Sequence, residues 1–210
     1  MNRCIIIGAG EFSEKQIIKT DEDFLIVCDG GYNNYLKLDN CDKLSIDLLI
    51  GDFDSFDIEK IDNKNIKKIV KLNPIKDDTD VVDAVKYGLE MGYNEFCLYG
   101  CLGGRLEHSI ANIQILAYIK DNNANGYIID ESKRIIILKD EEISLTGNGY
   151  ISIFALSGKV SGVTLKNLKY ELNNATLSNS FPLGIDNEFI DKPAFIKVKK
   201  GKLLVIYTVE

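Results

Sequence analysis

Acidic residues follow two predicted strands of the chain, at the points where those strands end. The run IGDFDS, residues 50–55, ends an apolar stretch at Gly51 and places Asp52 and Asp54 two positions apart. In an extended segment that spacing points both carboxylates to the same side. Neighbouring carboxylates repel each other unless a cation neutralises them, and hard oxygen ligands suit Mg²⁺. The motif predicts a metal site, although an ordinary polar turn anchored by Phe53 explains the same residues equally well.

A second group of acids, DDTD at residues 77–80, follows the next predicted strand and precedes a predicted helix. Thr79 is suited to cap that helix, and a helix N-terminus favours acids for capping and dipole reasons alone, which accounts for Asp77 and Asp78. We assign Asp80 to the metal. Because ligands bind at the carboxyl ends of the strands in open α/β sheets, acids from two such loops indicate one shared site.

The segment YGCLGGRLEHS, residues 99–109, combines glycines, an arginine, a glutamate and the only histidine of the chain between a strand and a helix. Gly103 and Gly104 let the backbone approach a ligand closely, and Arg105 adds a positive charge to a helix start that already favours phosphate. The Walker pattern G-x-x-x-x-G-K-[ST] is absent. The segment therefore predicts an anion site, in which we expect His108 to bond a neighbouring residue rather than act as a general base.

The opening run IIIGAGEFS partly matches the dinucleotide fingerprint G-x-G-x-x-G, with Gly8 and Gly10 in place and Ser13 where the third glycine belongs. Asp29 lies about 20 residues further on, where such folds keep a ribose-binding acid. The first strand of any α/β sheet tends to end in glycine. A nicotinamide or flavin role is therefore disfavoured.

Apolar runs and helix-period segments alternate over the first 120 or so residues, a pattern typical of an α/β domain with a Rossmann-like parallel sheet and flanking helices. One helix is expected between Thr79 and Gly92, and a second over residues 105–120 with Ile110, Ile113, Leu116 and Ala117 buried. The predicted strands cover residues 3–8, 24–28, 48–51, 67–72 and 95–99.

After residue 125 the periodicity becomes strand-like, and no helix signal returns. Short β-branched runs such as RIIILKD, YISIFALS and KLLVIYTV alternate with turns, and KKGK before the last run predicts a hairpin. We therefore expect an α/β domain at residues 1–124 and an all-β domain at residues 125–210, with no flexible linker between them.

Composition excludes several classes of protein. The chain carries 32 acidic and 25 basic residues, a net charge of -7, so electrostatic binding to nucleic acid or to an anionic membrane is not expected. No apolar run is long enough for a signal peptide or a membrane span, which predicts a cytoplasmic protein. The five cysteines form no C-x-x-C pair and indicate neither a disulfide framework nor a zinc site.

Taken together, the motifs resemble the thiamine pyrophosphokinase family over nearly the whole chain. The matching runs are DGG at 29–31, GDFDS at 51–55, TD at 79–80, GGRLEH at 103–108, SGVTLKNLKYEL and LSNSF. The resemblance implies an N-terminal α/β domain, a C-terminal β-sandwich and dependence on Mg²⁺. It also implies a homodimer in which thiamine binds between the nucleotide domain of one subunit and the sandwich of its partner.

The same resemblance implies roles for individual residues. Asp52, Asp54 and Asp80 would bind Mg²⁺ and, through it, the β- and γ-phosphates of ATP, while Arg105 stabilises charge on the transferring group. The family usually has aspartate where this chain has Glu107. The positions that would contact the substrates are Asp29, Gly30, Thr79, Gly104, Glu107 and His108 in the first domain, and Tyr170, Ser178 and Asn179 in the second.

The expected reaction is attack by the primary hydroxyl of thiamine on the β-phosphorus of ATP, with AMP leaving and one of the aspartates accepting the hydroxyl proton. A 6-hydroxymethylpterin diphosphokinase of related fold is the alternative enzyme, because it would share the nucleotide half. A non-catalytic sensor of Mg-ATP is the alternative of another class. The acceptor-pocket runs LKYEL and LSN favour thiamine over both.

Overall fold

The computed structural model describes residues 2–54, 63–73, 75 and 78–209 of the chain. Contacts between α-carbons divide the chain into a first unit, Met1–Glu131, and a second unit, Ser132–Glu210. Among the described residues, no helix is both long enough and apolar enough to cross a membrane. Two residues of the predicted motifs, Ser55 and Asp77, lie outside the described residues.

A parallel sheet forms the centre of the first unit. Its strands are β1 (Arg3–Ile7), β2 (Phe24–Cys28), β3 (Leu48–Gly51), β4 (Ile69–Lys71), β5 (Glu95–Tyr99) and β6 (Asn125–Asp130). They lie in the order β6-β5-β1-β2-β3-β4 and pair in parallel throughout. Most of them are buried because parallel sheets are covered on both faces, which is why they read as continuous apolar runs.

The strand order reverses between β1 and β5. From β1 the chain adds β2, β3 and β4 on one side, and it then returns to add β5 and β6 on the other side. Such a reversal is the usual ligand-binding position of an open α/β sheet, at the carboxyl ends of the strands. The predicted loops with functional motifs follow β3, β4 and β5, so all of them begin at that edge.

The described α-helices of the first unit are α1 (Gly31–Tyr35), α2 (Asp80–Glu90) and α3 (Leu106–Asp121). The side-chain oxygen of Thr79 accepts a hydrogen bond from the backbone of Val82 at 3.4 Å, which confirms the predicted N-cap of α2. Gly92, with φ of +86°, follows the end of α2 as predicted.

The buried face of α3 differs from the prediction. Asn112, Ile115, Leu116 and Ile119 are buried, whereas Ile110 is 49% exposed. Helix α3 has apolar residues on several faces, so its hydrophobic periodicity does not single out the side that packs on the sheet. Only Leu116 of the predicted stripe is buried.

Strands alone make up the described secondary structure of the second unit, which confirms a β-rich C-terminal part. The strands are β7 (Lys133–Lys139), β8 (Glu142–Leu145), β9 (Tyr150–Ala155), β10 (Lys159–Lys166), β11 (Leu172–Ser178), β12 (Asn187–Glu188), β13 (Ala194–Lys197) and β14 (Lys202–Thr208). They pair antiparallel in two sets, β12-β9-β14-β7 and β11-β10-β13-β8, and both sets contribute residues to one apolar core.

Strand pairing shows where two runs of the C-terminal part lie. The run that begins at Asn125 forms β6, which pairs in parallel with β5 and belongs to the first unit. The predicted hairpin at KKGK does not form, because β13 pairs with β8 and β10 while β14 pairs with β7 and β9 in the other sheet.

Candidate active site

A cavity of about 770 Å³ lies at the carboxyl ends of the parallel strands of the first unit. The residues that line it come from the loops after β1, β2, β3 and β5 and from the starts of α2 and α3. Most of the residues predicted for the first domain therefore meet at one place. The lining includes Gly10, Asp29, Gly30, Asp52, Thr79, Asp80, Gly104, Arg105 and His108.

Three carboxylates converge beside this cavity, and two of them, Asp29 and Asp52, line it. One oxygen each of Asp29, Asp52 and Asp54 lies within 4.8 Å of the others. A six-coordinate Mg²⁺ with bonds of about 2.1 Å holds its ligand oxygens about 3 to 4.2 Å apart, so small side-chain movements bring these oxygens to the required spacing. Because three carboxylates this close repel one another, the donor set fits a hard divalent cation.

The turn that brings Asp52 and Asp54 together is not the extended segment that the sequence suggested. Phe53 has φ of +59°, in the left-handed region, and its side chain is buried in the core of the first unit. The backbone amide of Asp54 donates a hydrogen bond of 3.3 Å to Oδ1 of Asp52. The carboxylates converge because Phe53 anchors a tight turn. The prediction that they share one side of an extended segment is therefore wrong.

Asp29 reaches the same place from the end of β2. Its backbone amide donates to the carbonyl of Ile50 at 2.8 Å, and its carbonyl accepts from Tyr32 at 2.9 Å. Its φ of +28° is a conformation that aspartate tolerates better than most residues. The family resemblance predicts a substrate contact for Asp29, whereas the structure brings its carboxylate to Asp52 and Asp54.

Asp80, a predicted metal ligand, is the first residue of α2 and lines the cavity. It is not one of the three converging carboxylates found among the described residues. The hydroxyl of Thr79 is used to cap α2. Asp78 forms an ion pair with Lys86 of α2, so its carboxylate contacts the helix that follows it.

The glycine-rich loop after β5 orients Arg105. Gly103 and Gly104 have φ of +77° and +61°, values that glycine adopts without strain. The Nε and Nη2 atoms of Arg105 lie 2.7 and 2.6 Å from one oxygen of Glu107, and both side chains are largely exposed. The pKa of Glu107 is held below its usual range by its own backbone amide and by this guanidinium. Glu107 is therefore a partner of Arg105 in this structure.

Two asparagines that the sequence motifs do not single out are buried at this edge. The side-chain amide of Asn112 donates to the carbonyl of Cys101 at 2.8 Å, and that of Asn34 donates to the carbonyls of Gly8 and Gly10. Nothing in the pattern distinguishes them from surface asparagines, although a polar residue at a buried position of a helix indicates a specific hydrogen bond.

The residues predicted to bind the acceptor lie in the second unit. Tyr170 is 59% exposed, with Nζ of Lys169 at 5.5 Å from its ring centroid. The hydroxyl of Ser178 lies 2.8 Å from that of Ser180, and the backbone amide of Asn179 donates to Gly158 at 3.2 Å. Their side chains are thus at or near the surface of this unit.

Comparisons with known proteins agree with the sequence motifs. Residues 16–128 match the family profile "Thiamin pyrophosphokinase, catalytic domain", and residues 134–203 match "Thiamin pyrophosphokinase, vitamin B1 binding domain". The thiamine pyrophosphokinase of Bacillus subtilis (strain 168) is 30% identical over 163 residues, which are 74% of this chain and 75% of that protein.

Solved structures of similar proteins share the fold. The crystal structure of thiamine pyrophosphokinase from Bacillus subtilis superposes with a TM-score of 0.83 at 26% identity, covering 99% of both chains. Thiamin pyrophosphokinase from Candida albicans is 15% identical and superposes with a TM-score of 0.80, covering 100% of this chain and 89% of the other.

Proposed function

Since this chain belongs to the thiamin pyrophosphokinase family and transfers a diphosphate group to thiamine, we propose that ATP is the donor and that Mg²⁺ assists the transfer. The observation that carries this proposal is the convergence of Asp54 with Asp29 and Asp52, which line the same cavity as Arg105. The acids supply oxygen ligands for a cation, and the arginine supplies a charge for phosphate.

Asp52 and Asp54 are the proposed ligands of Mg²⁺, with Asp29 as the third carboxylate. Asp80 is proposed to act through a water molecule, since Mg²⁺ usually keeps several waters in protein sites. When bound, the ion neutralises charge on the β- and γ-phosphate oxygens. Because Asp29, Asp52 and Asp54 hold the ion, the diphosphate is proposed to lie on their side of the cavity.

Arg105 and the start of α3 are proposed to hold the transferring diphosphate. The backbone amides at the start of this helix favour phosphate, and Gly104 allows close approach. Arg105 stabilises the negative charge that develops on the transferring group. Gly30, Thr79, His108 and Glu107 are proposed as further contacts around the substrates, Glu107 through its ion pair with Arg105.

In the proposed step, the hydroxyl oxygen of thiamine forms a bond to the β-phosphorus of ATP. The bond between that phosphorus and the oxygen bridging to the α-phosphate breaks, and AMP leaves with the electron pair. The hydroxyl proton passes to an aspartate of the site. A near-attack distance of about 3 to 3.5 Å between oxygen and phosphorus is required.

The acceptor is proposed to bind Tyr170, Ser178 and Asn179 of a partner subunit in a homodimer. Exposed apolar side chains of the second unit support a subunit contact there: Tyr150, Tyr170, Phe181, Leu183, Ile185 and Ile190. Mixing the inactive variants Asp54→Asn and Asn179→Ala should restore part of the activity. If the subunits exchange and no activity returns, each chain builds its own acceptor site.

We also propose a fold class for each unit and a cellular location for the protein. The parallel pairing with a reversal of strand order supports a Rossmann-like class for the first unit, and two antiparallel sets of strands on one core support a β-sandwich for the second. The domain with the thiamine-binding and dimerisation role would then begin with β7. The five cysteines are thiols and form no disulfide bond with one another, which supports a reducing, cytoplasmic location.

Acceptor choice is tested by measuring AMP formation from ATP with thiamine and, separately, with 6-hydroxymethylpterin. We expect AMP with thiamine only. AMP formed only with the pterin would identify a pterin diphosphokinase. Binding of Mg-ATP with no AMP formed from either acceptor would support the non-catalytic sensor.

A further inference from the structure

The side chain of Asn34 is buried beside the carboxyl ends of β1 and β5. It is 3% exposed, and its Nδ2 atom donates to the carbonyls of Gly8 at 2.8 Å and Gly10 at 2.9 Å. Its Oδ1 atom accepts from Nζ of Lys37 at 2.9 Å. Because carbonyls only accept and an ammonium group only donates, these partners fix the orientation of the amide.

Asn34 thereby holds the glycine loop after β1, which is itself joined to the loop after β5. Backbone amides of Gly8, Gly10 and Glu11 donate to the carbonyls of Tyr99, Gly100 and Leu102 at 2.8, 2.7 and 2.7 Å. A β-carbon at Gly10 would lie 2.2 Å from the carbonyl oxygen of Leu102, so the two loops are in close contact. The second of these loops leads directly to Arg105.

The backbone of Asn34 is tied to the acidic side of the site. Helix α1 begins two residues after Asp29, whose carbonyl accepts from the amide of Tyr32 at 2.9 Å. A β-carbon at Gly31 would lie 2.3 Å from the carbonyl oxygen of Ile7, so α1 packs directly on the end of β1. One residue thus connects the segment of Asp29 with the loops that precede Arg105.

We propose that Asn34 is a positioning residue, which fixes the loop of Arg105 relative to the carboxylates of Asp29, Asp52 and Asp54. The inference rests on the proposed function, in which the two groups act on the same diphosphate. A displacement of about 1 Å in such a site costs roughly 100-fold in rate. Asn34 contributes to the rate through the loops that it holds, without contacting the substrate.

The test uses Asn34→Asp, which keeps the size of the side chain and replaces the two N–H donors by an oxygen facing two carbonyls. Asn33→Asp is the matched control, because Asn33 is exposed on the same helix. We expect Asn34→Asp to lower kcat per folded molecule at least tenfold, an increase of about 1.4 kcal/mol in the barrier. The KM for thiamine should change less than about twofold, which is small beside the loss of kcat. The affinity for Mn²⁺, measured without substrates, should also change less than about twofold.

A purely structural role would lower the melting temperature and the folded fraction but leave kcat per folded molecule unchanged, and that result overturns the inference. Loss of Mn²⁺ affinity in parallel with kcat also overturns it, because the acids themselves would then be disturbed. If Asn34→Asp does not fold, Asn34→Ser, which keeps one donor without a charge, carries the same expectations. Absence of AMP formation by the unchanged chain would refute the proposed function itself.

Discussion

The backbone of Gly51 lies directly against the side chain of Asp29. A β-carbon at Gly51 would come within 2.6 Å of the β-carbon of Asp29, a distance that real β-carbons do not reach. The end of β3 therefore needs a glycine because the acid at the end of β2 occupies the space. This contact places Asp29 beside the turn that carries Asp52 and Asp54.

Gly51→Ala should displace Asp29 and weaken metal binding. We expect the dissociation constant for Mn²⁺, measured by electron paramagnetic resonance without substrates, to rise about tenfold, or about 1.4 kcal/mol. Gly158→Ala is the control, since a β-carbon there meets nothing within 4 Å. Wild-type affinity in Gly51→Ala would show that Asp29 is not needed for the cation.

Asp52→Asn and Asp54→Asn should each lower turnover by more than tenfold, or about 1.4 kcal/mol of transition-state stabilisation. Each amide keeps the shape of the turn but removes an anionic ligand. Steady-state rates over a range of Mg²⁺ concentrations provide the measurement, with the exposed Asp39→Asn as control. Near-normal rates in both variants at limiting Mg²⁺ would rule out the metal assignment.

Glu107→Asp should keep activity, whereas Glu107→Ala should lose it. Glu107 holds the guanidinium of Arg105 through two contacts to one oxygen, and a shorter carboxylate can still reach this neighbour. The kcat of both variants, at saturating ATP, makes the comparison. A harmless alanine would mean that Glu107 contributes only to the electrostatics of the helix start.

Asp47 should stabilise the fold at neutral pH and lose that effect in acid. Its carboxylate is 7% exposed and accepts from the amide of Leu25 and from Lys67. Burial works against ionisation, but these bonds and the ammonium of Lys19 hold the pKa of Asp47 below its usual value. Its stabilising effect is therefore complete above the unfolded pKa, near 3.9, and is lost as the pH falls through the folded value.

Urea unfolding of Asp47→Asn measures this effect. At pH 7 we expect the free energy of unfolding to fall by about 3 kcal/mol relative to the unchanged chain. The difference should shrink at pH 3.5, because the unfolded chain then gains protons at Asp47. Asp191→Asn, at an exposed position, is the control. An equal loss of unfolding free energy at both pH values would contradict a lowered pKa for Asp47 in the folded chain.

The motifs after β3 and β5 were predictable from sequence because each follows an apolar run that is typical of a buried parallel strand. The N-cap Thr79 and the helix after it are confirmed. The grouping of Asp29 with Asp52 and Asp54 was not predictable, because it depends on a left-handed turn at Phe53 and on the close contact at Gly51.

Other elements and pairings were not predictable because their signals in the sequence are weak or local. Helix α1 has only five residues, too few for a hydrophobic period. Strand β11 reads LNNATLS and has one buried residue, Leu177, so it lacks the apolar alternation of its neighbours. The position of β14 in a different sheet from β13 depends on pairing with distant strands, which a turn motif such as KKGK does not encode.

The most direct test of the account is the identity of the first products formed from ATP labelled with ³²P at the γ-phosphate and thiamine. Attack on the β-phosphorus transfers both outer phosphates in one step. We therefore predict that AMP and labelled thiamine diphosphate form in equal amounts, without a lag and without thiamine monophosphate. ADP and thiamine monophosphate as the first products would show attack on the γ-phosphorus and would contradict the proposed transfer.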